Sequence, residues 1–232
     1  MLIPTMSSTE VTREIHEDWV KCERSAIRLA AEYDKQRKKL KINRADPYFI
    51  CYSIKSVRKN NWVFIFSKST ACDHYKGLEN VKGYYLVYYY TKIGLRVFKL
   101  HDKNILSVYN GHLFTRYKER MLLPIEHPLE IVKHFFSHNA YCKATVVKKD
   151  GKDFTMAICK DGLLLGELQE DTLWILYKTF LNRDSISKHH RNEEVKLIIT
   201  LGHEIEEALK SSKLDLELFR GWAEILNTYK ID

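Results

Sequence analysis

The chain has 232 residues, of which 45% are hydrophobic and 29% charged, with nine Gly and four Pro. This composition is typical of a folded protein and excludes a largely disordered chain. No apolar run approaches the ~20 residues of a membrane-spanning helix, and the N-terminus lacks the pattern of a secretory signal. We therefore expect a cytoplasmic protein without a membrane partner.

The spacing of the cysteines argues against two further kinds of structure. Five are scattered along the chain without a CxxC pair, which favours reduced thiols over a disulfide framework or a zinc knuckle. Neither a Walker loop nor GxGxxG is present, and HExxH is absent, so the sequence predicts no cofactor and no metal. The adjacent His189 and His190 are poorly placed to bind one ion together, and His203 has Glu207 rather than a histidine four residues on.

The charge is positive and uneven. The formal net charge is +8; residues 189–232 carry −3 and residues 1–188 carry +11. Such a surface attracts polyanions, and this attraction weakens as salt rises. The alternative is a solvated helix end, where cations are also favourable. The densest run, the candidate nucleic-acid-binding segment, is Lys35, Arg37, Lys38, Lys39, Lys41 and Arg44.

Residues 1–46 are predicted to form a long N-terminal helix, with its helical pattern over 7–42. Ser7 followed by Glu10 fits a capping box, and Pro47 ends the segment. An apolar stripe with steps of three and four residues runs along it, comprising Val11, Ile15, Trp19, Cys22, Ala26, Leu29 and Tyr33.

Residues 47–109 are predicted to form an antiparallel meander. Aromatic and β-branched runs are separated by short turn signals, which favour hairpins. The strands are 48–54, 62–67, 84–90, 94–100 and 105–109.

Two short helices are predicted next, over 111–121 and 128–138, with Pro128 in the first turn of the second. Asp-Gly pairs at 150–151 and 161–162 then indicate hairpins among the strands 144–148, 154–159, 163–167 and 173–181. Residues 189–232 are predicted to form a C-terminal helical pair.

The sequence thus predicts an α+β protein with a long N-terminal helix, an antiparallel sheet or sheets, two short helices in the middle and a C-terminal helical pair. No linker separates the two groups of strands. Whether they form one compact unit or two domains stays open.

The candidate chemistry lies on the helix that begins at residue 111. At about 100° per residue, four polar side chains share an arc of about 100°. An imidazole or carboxylate can take a 2′-hydroxyl proton from RNA, while guanidiniums hold the phosphate as charge builds. The alternative is a surface ion-pair network of little energetic weight. The four residues are His112, Arg116, Glu119 and Arg120.

This pattern resembles the small RelE-type toxins and their relatives, in particular the branch whose first helix carries a His…Arg…Glu-Arg signature. The resemblance covers residues 104–181. It depends on the four residues just named, on Asp161-Gly162 and on the closing strand 176–180. It implies two helices packed on an antiparallel sheet and metal-independent ribonuclease chemistry. It also implies that Lys178 and Thr179 lie near the helix-borne groups, with Lys178 adding charge.

Two function classes follow. The first is a toxin-like ribonuclease or RNA-binding relative, whose partners would be RNA and a neutralising protein such as an antitoxin. The second is a non-enzymatic interaction protein that dimerises or docks a partner through its terminal helices. A small-molecule enzyme ranks last, because no motif supports one.

Overall fold

The computed structural model describes residues 1–40, 48–68, 81–92, 94–101, 106–139, 143–149, 152–169, 172 and 174–182. Within these residues the protein is α+β, as expected. The predicted C-terminal helical pair, like the turn at 102–104 and the Asp150-Gly151 pair, lies outside the described residues. The helices are α1 (Ser8–Lys39), α2 (Gly111–Arg120) and α3 (Pro128–His138); the strands are β1 (Phe49–Lys55), β2 (Asn61–Lys68), β3 (Val81–Thr91), β4 (Gly94–Leu100), β5 (Leu106–Tyr109), β6 (Lys143–Lys149), β7 (Lys152–Cys159), β8 (Gly162–Gln169) and β9 (Trp174–Asn182).

All nine strands belong to one sheet, in the order β1-β2-β3-β4-β5-β9-β8-β7-β6. The expected hairpins are present on both sides, including the β7–β8 hairpin that pairs Cys159 with Gly162. The strands β1 to β5 form the expected antiparallel meander, but the sheet as a whole is mixed, because β5 and β9 pair in parallel. This pair joins the two groups of strands through a connection that contains both α2 and α3, and such a long crossover is what parallel pairing requires.

Helices cover both faces of the sheet. α1 packs on one face over a core that includes Trp62, Phe64 and Phe98. α2 and α3 pack on the other face, where Tyr117 and Phe135 join Tyr109 in a second core. Two separate apolar cores therefore hold three layers together, and the faces of α1 and α2 that point away from the sheet lie on opposite sides of the protein.

The predicted features of α1 are confirmed. Its N-terminus carries the capping box, in which the Ser7 hydroxyl accepts from the Glu10 amide and the Glu10 carboxylate accepts from the Ser7 amide. The whole apolar stripe packs against the chain's own sheet, and all of its members except the half-buried Trp19 are buried. That stripe is consequently not a surface on which a partner or a second copy can dock.

The sheet curls around α3. Ser137 lies 3.7 Å from the Cys51 sulfur on β1, whereas Asn139, two residues further on, hydrogen-bonds Asp161 in the β7–β8 turn. These two places are at least six strand positions apart, which would be roughly 29 Å in a flat sheet. Strong coiling of the sheet brings them to one helix end, and this places the C-terminal parts of α2 and α3 against the β7–β8 turn.

A buried polar network fixes α1 to the β1–β2 hairpin. The Glu14 carboxylate accepts from Arg58 Nε at 3.1 Å and from Asn60 Nδ2 at 2.9 Å. The fully buried Asp18 accepts from Asn60 Nδ2 at 2.7 Å and from Trp62 Nε1 at 2.8 Å. The Arg58 guanidinium, despite the opposing effect of burial, lowers the pKa of Glu14 from 4.5 to about 2.

This network makes the free energy of unfolding depend on pH. Because Glu14 has a lower pKa in the folded protein than in the unfolded chain, its contribution is complete above about pH 4.5 and disappears as pH falls towards 2. We expect wild type to lose about 2–3 kcal/mol more free energy of unfolding across this interval than Glu14→Gln does. Urea denaturation at several pH values measures this difference. The control Glu32→Gln changes an exposed carboxylate, and its free energy of unfolding should depend on pH as that of wild type does. If Glu14→Gln and wild type lost the same free energy of unfolding between pH 4.5 and 2, the stabilising role of Glu14 would be contradicted.

No described helix combines the length and the apolar character needed to cross a bilayer. Three cysteines, Cys22, Cys51 and Cys159, are described, and all three are free thiols.

Candidate functional site

The candidate site lies on the solvent side of α2, directly after β5. Asn110 has extended backbone geometry and starts the helix, although its side chain makes no capping hydrogen bond. Leu113, Phe114 and Tyr117 are buried in the core that α2 shares with α3 and the sheet. This buried face fixes the rotation of the helix and turns His112, Thr115, Arg116 and Glu119 outwards.

Three of the predicted residues meet on this exposed face. Arg116 is central: its Nε lies 3.4 Å from His112 Nε2, and its Nη1 lies 3.3 Å from Glu119 Oε2. The Arg116 and Glu119 side chains are 45% and 54% exposed, so a ligand can reach them. We call His112, Arg116 and Glu119 the α2 triad.

Arg120 does not join the α2 triad. Its guanidinium donates to the backbone carbonyl of Phe180 on β9, and Asn182 Nδ2 donates to the Arg120 carbonyl at 3.2 Å. Both hydrogen bonds attach the end of α2 to β9. In this arrangement Arg120 holds the helix in place on the sheet.

Lys178 lies on the other face of the sheet, contrary to the expectation from the resemblance. Its ammonium pairs with Glu167, which is directly opposite Leu176, a member of the core under α1. Tyr177 packs on the α2 side, so the next residue, Lys178, points away from it by the ordinary alternation of a strand. A bulge between β8 and β9 turns Thr179 to the same side as Lys178, because Phe180 again packs on the α2 side.

We expect Lys178→Ala to have little effect on the free energy of unfolding. The Lys178 and Glu167 side chains are 52% and 38% exposed, and ion pairs between exposed groups contribute about 0–1 kcal/mol. The free energy of unfolding should change by less than about 1 kcal/mol, measured by urea denaturation. A loss of more than about 1 kcal/mol would contradict the exposed position that we assign to this ion pair.

The basic run at the end of α1 is partly neutralised. Arg37 and Lys38 both pair with the buried Asp34, at 2.9 and 2.6 Å, while Lys35 and Lys39 are exposed. Lys41 and Arg44 lie outside the described residues. Because α1 and α2 cover opposite faces of the sheet, the described part of this run, residues 35–39, does not form one continuous surface with the α2 triad.

A cavity of about 210 Å³ lies beside the α2 triad, between α2, β4 and the start of α3. Its polar side chains are Thr115, Lys118 and Glu126, set among the apolar residues Leu95 and Ile131. Thr115 lies one helical turn before Glu119, so the lining of this cavity and the α2 triad are neighbours on the surface of the helix.

A polar cluster that the sequence analysis missed lies between α2, α3 and the β7–β8 turn. The Tyr117 hydroxyl lies 2.6 Å from Asp161 Oδ2 and 3.1 Å from His134 Nδ1. Asn139 Nδ2 donates to the same Asp161 oxygen at 2.9 Å, and the Asp161 amide donates to Asn139 Oδ1 at 2.9 Å. Burial, together with the hydrogen bond to Asp161, raises the pKa of Tyr117 far above its usual value.

A serine and a histidine also meet, on β5 and just after β4. Ser107 Oγ lies 2.8 Å from His101 Nε2, and burial lowers the pKa of His101 to about 4. Ser107 is only 2% exposed. A substrate cannot reach this hydroxyl, so the pair is a structural hydrogen bond rather than a nucleophile and its base.

Among the described residues, no three metal-ligating side chains come together. No family model, no curated protein and no solved structure matches the chain. The resemblance to RelE-type toxins therefore depends on the sequence motif alone.

Proposed function

We propose that the protein acts on RNA through the α2 triad, as a metal-independent ribonuclease or an RNA-binding relative of one. The observation that carries this proposal is the contact of one exposed guanidinium with an imidazole on one side and a carboxylate on the other. The positive charge of residues 1–188 adds a general attraction for RNA.

Arg116 is the phosphate-binding group in this proposal. A guanidinium presents five N–H donors in a plane, and its contacts with His112 and Glu119 engage Nε and Nη1 only. The remaining donors suit a phosphate oxygen, because charge-assisted hydrogen bonds from arginine are strong and directional.

His112 is the group that takes the proton. A guanidinium can only donate, so the His112 Nε2 that lies 3.4 Å from Arg116 Nε is an unprotonated nitrogen in this contact. A phosphate held by Arg116 brings the neighbouring ribose hydroxyl towards that nitrogen. His112 Nε2 then accepts the hydroxyl proton as the oxygen attacks phosphorus. The bond from phosphorus to the leaving oxygen breaks, and that oxygen takes its proton from the imidazolium or from water.

Glu119 has two opposing effects, because its carboxylate orients the Arg116 guanidinium for cleavage but also weakens the binding of RNA. Its carboxylate competes with phosphate for Arg116 and repels the polyanion, which weakens binding. We therefore expect Glu119→Gln to bind RNA more tightly than wild type does and to cleave it more slowly. A merely structural ion pair would change neither property in this opposed way.

The experiment is incubation of the purified chain with mixed RNA in excess EDTA, read by gel electrophoresis, with RNA affinity measured in parallel. Wild type should cleave, His112→Ala should bind without cleaving, and Glu119→Gln should show the opposed effects. Equal cleavage by wild type and a correctly folded His112→Ala, Arg116→Ala double variant would rule out the catalytic roles. Absence of both cleavage and salt-dependent binding in wild type would rule out the whole proposal.

The second function class is a protein that dimerises or docks a partner through its N- and C-terminal helices. It lacks support from α1, because the apolar stripe of α1 is buried in the chain's own core, and the C-terminal segment lies outside the described residues. No contact among the described residues favours it.

A further inference from the structure

We propose that His134 and His138, near the end of α3, form a two-imidazole binding site for a divalent transition-metal ion of the zinc and copper class. The two residues are four apart on one helix face, and their rings stack with centroids 4.0 Å apart. The site is separate from the α2 triad and does not depend on action on RNA.

Hydrogen bonding leaves one nitrogen of His134 free to bind a cation. The Tyr117 hydroxyl has a single proton, and its shorter contact, 2.6 Å, is with the Asp161 carboxylate, which only accepts. Towards His134 Nδ1, 3.1 Å away, the hydroxyl oxygen must therefore accept. His134 consequently carries its proton on Nδ1, and the lone pair is on Nε2.

This arrangement is the one that histidine ligands need. A metal-binding imidazole usually donates its second N–H to a carboxylate or another acceptor, which fixes the ring and makes the ligating nitrogen more basic. Here a chain of hydrogen bonds runs from His134 Nδ1 through the Tyr117 hydroxyl to the Asp161 carboxylate. Asn139 Nδ2 donates to the same carboxylate at 2.9 Å. His134 is thus a ligand already oriented by the fold.

His138 supplies the adaptable second ligand. It is exposed, and its described contact is the ring stack with His134. Two imidazoles on a tetrahedral ion with metal–nitrogen distances of about 2.0–2.1 Å have centroids about 5 Å apart. Chelation therefore needs the rings to open by about 1 Å and to rotate from their interplanar angle of 19°, which the exposed ring of His138 can do.

The surroundings of His134 favour the form of the ring that binds metal. Burial, with a smaller effect from the facing His138, lowers the pKa of His134. The nearby Asp161 acts in the opposite direction but less strongly. Two protein ligands leave the other positions of the ion to water or to a ligand from solution. Imidazole nitrogen selects zinc, copper and nickel over magnesium and calcium.

The test is titration of the full chain with ZnCl₂, and separately with CuCl₂, at pH 7.5 by calorimetry. His134→Gln and His138→Gln should each bind one ion fewer than wild type does. The matched control is His127→Gln, which removes an exposed histidine from the start of the same helix and should bind like wild type. Because the other histidines of the chain are unchanged, the difference between these variants isolates the site.

Two further measurements separate this site from adventitious binding. Tyr117→Phe keeps both imidazoles but removes the acceptor of the His134 proton, and should weaken the site about 10-fold. Substoichiometric Cu²⁺ should broaden the ring-proton NMR signals of His134 and His138 before those of His127. The proposal is overturned if His138→Gln and His127→Gln bind the same number of ions with equal affinity, or if the His134 and His138 signals stay sharp.

Discussion

Gly166→Ala is expected to destabilise the protein by about 3 kcal/mol, because the added methyl group meets backbone atoms that cannot easily move. A Cβ atom at Gly166 would collide with the backbone carbonyl oxygen of Leu176 and lie only 3.0 Å from the Tyr177 Cα. Both obstacles are backbone atoms of the neighbouring strand. The strand β9 would have to move at the bulge, and α2, which packs on β9, would move with it.

Gly83→Ala is the matched control for this prediction. A Cβ atom there meets side-chain atoms of Tyr85 and Phe66 rather than backbone, and side chains shift more easily than a paired strand does. Urea denaturation should show a loss below about 1.5 kcal/mol for Gly83→Ala. If the two variants were equally stable, the close approach of β8 and β9 at the bulge would not be the constraint that we describe.

Arg116→Ala is expected to reduce RNA cleavage by about 100-fold, because it removes the one guanidinium that we assign to the phosphate. The slope of log affinity against log salt concentration should also become shallower by about one unit, because one phosphate contact is lost. Both quantities come from single-turnover cleavage and from binding curves at several salt concentrations. Stability should change little, since Arg116 is 45% exposed.

Two variants control for charge alone. Arg28→Ala removes an exposed guanidinium from α1, on the other face of the sheet, and should cleave at the wild-type rate. Arg116→Lys keeps the charge but not the planar group of donors, and should fall between wild type and Arg116→Ala. Equal losses in Arg28→Ala and Arg116→Ala would indicate a general charge effect instead of a site.

Local patterns in the sequence predicted the elements well. The capping box at Ser7 and the apolar stripe of α1 are both confirmed, because they depend on residues three and four positions apart. The order and bounds of the strands also follow from alternating apolar residues and turn signals, to within three residues. Pro128 at the start of α3 is confirmed in the same way.

Long-range pairing could not be predicted from such patterns. The parallel contact of β5 with β9 joins segments about 70 residues apart, and nothing local specifies which strand pairs with which. Lys178 follows the alternation of Leu176 and Tyr177 and so points to the α1 face, and the bulge opposite Gly166 turns Thr179 to the same face. The resemblance, which depends on a short motif, could not specify the face on which these two side chains lie.

The only part of the candidate site that could be predicted is the part whose residues all lie on one helix. His112, Arg116 and Glu119 meet because their spacing places them on one face of α2. The cluster of Tyr117, His134 and Asp161 gave no signal, because its members come from three elements and a tyrosine in a buried stripe suggests packing alone. The coiled sheet brings these residues together, and periodicity does not encode its curvature.

The central claim, that RNA contacts the exposed face of α2, is tested most directly by photo-crosslinking 4-thiouridine RNA to the full chain in EDTA and identifying the crosslinked peptides by mass spectrometry. We predict a crosslinked peptide that contains residues 111–120 in wild type and its strong reduction in Arg116→Ala. Crosslinks confined to other peptides, unchanged by Arg116→Ala, would contradict the account.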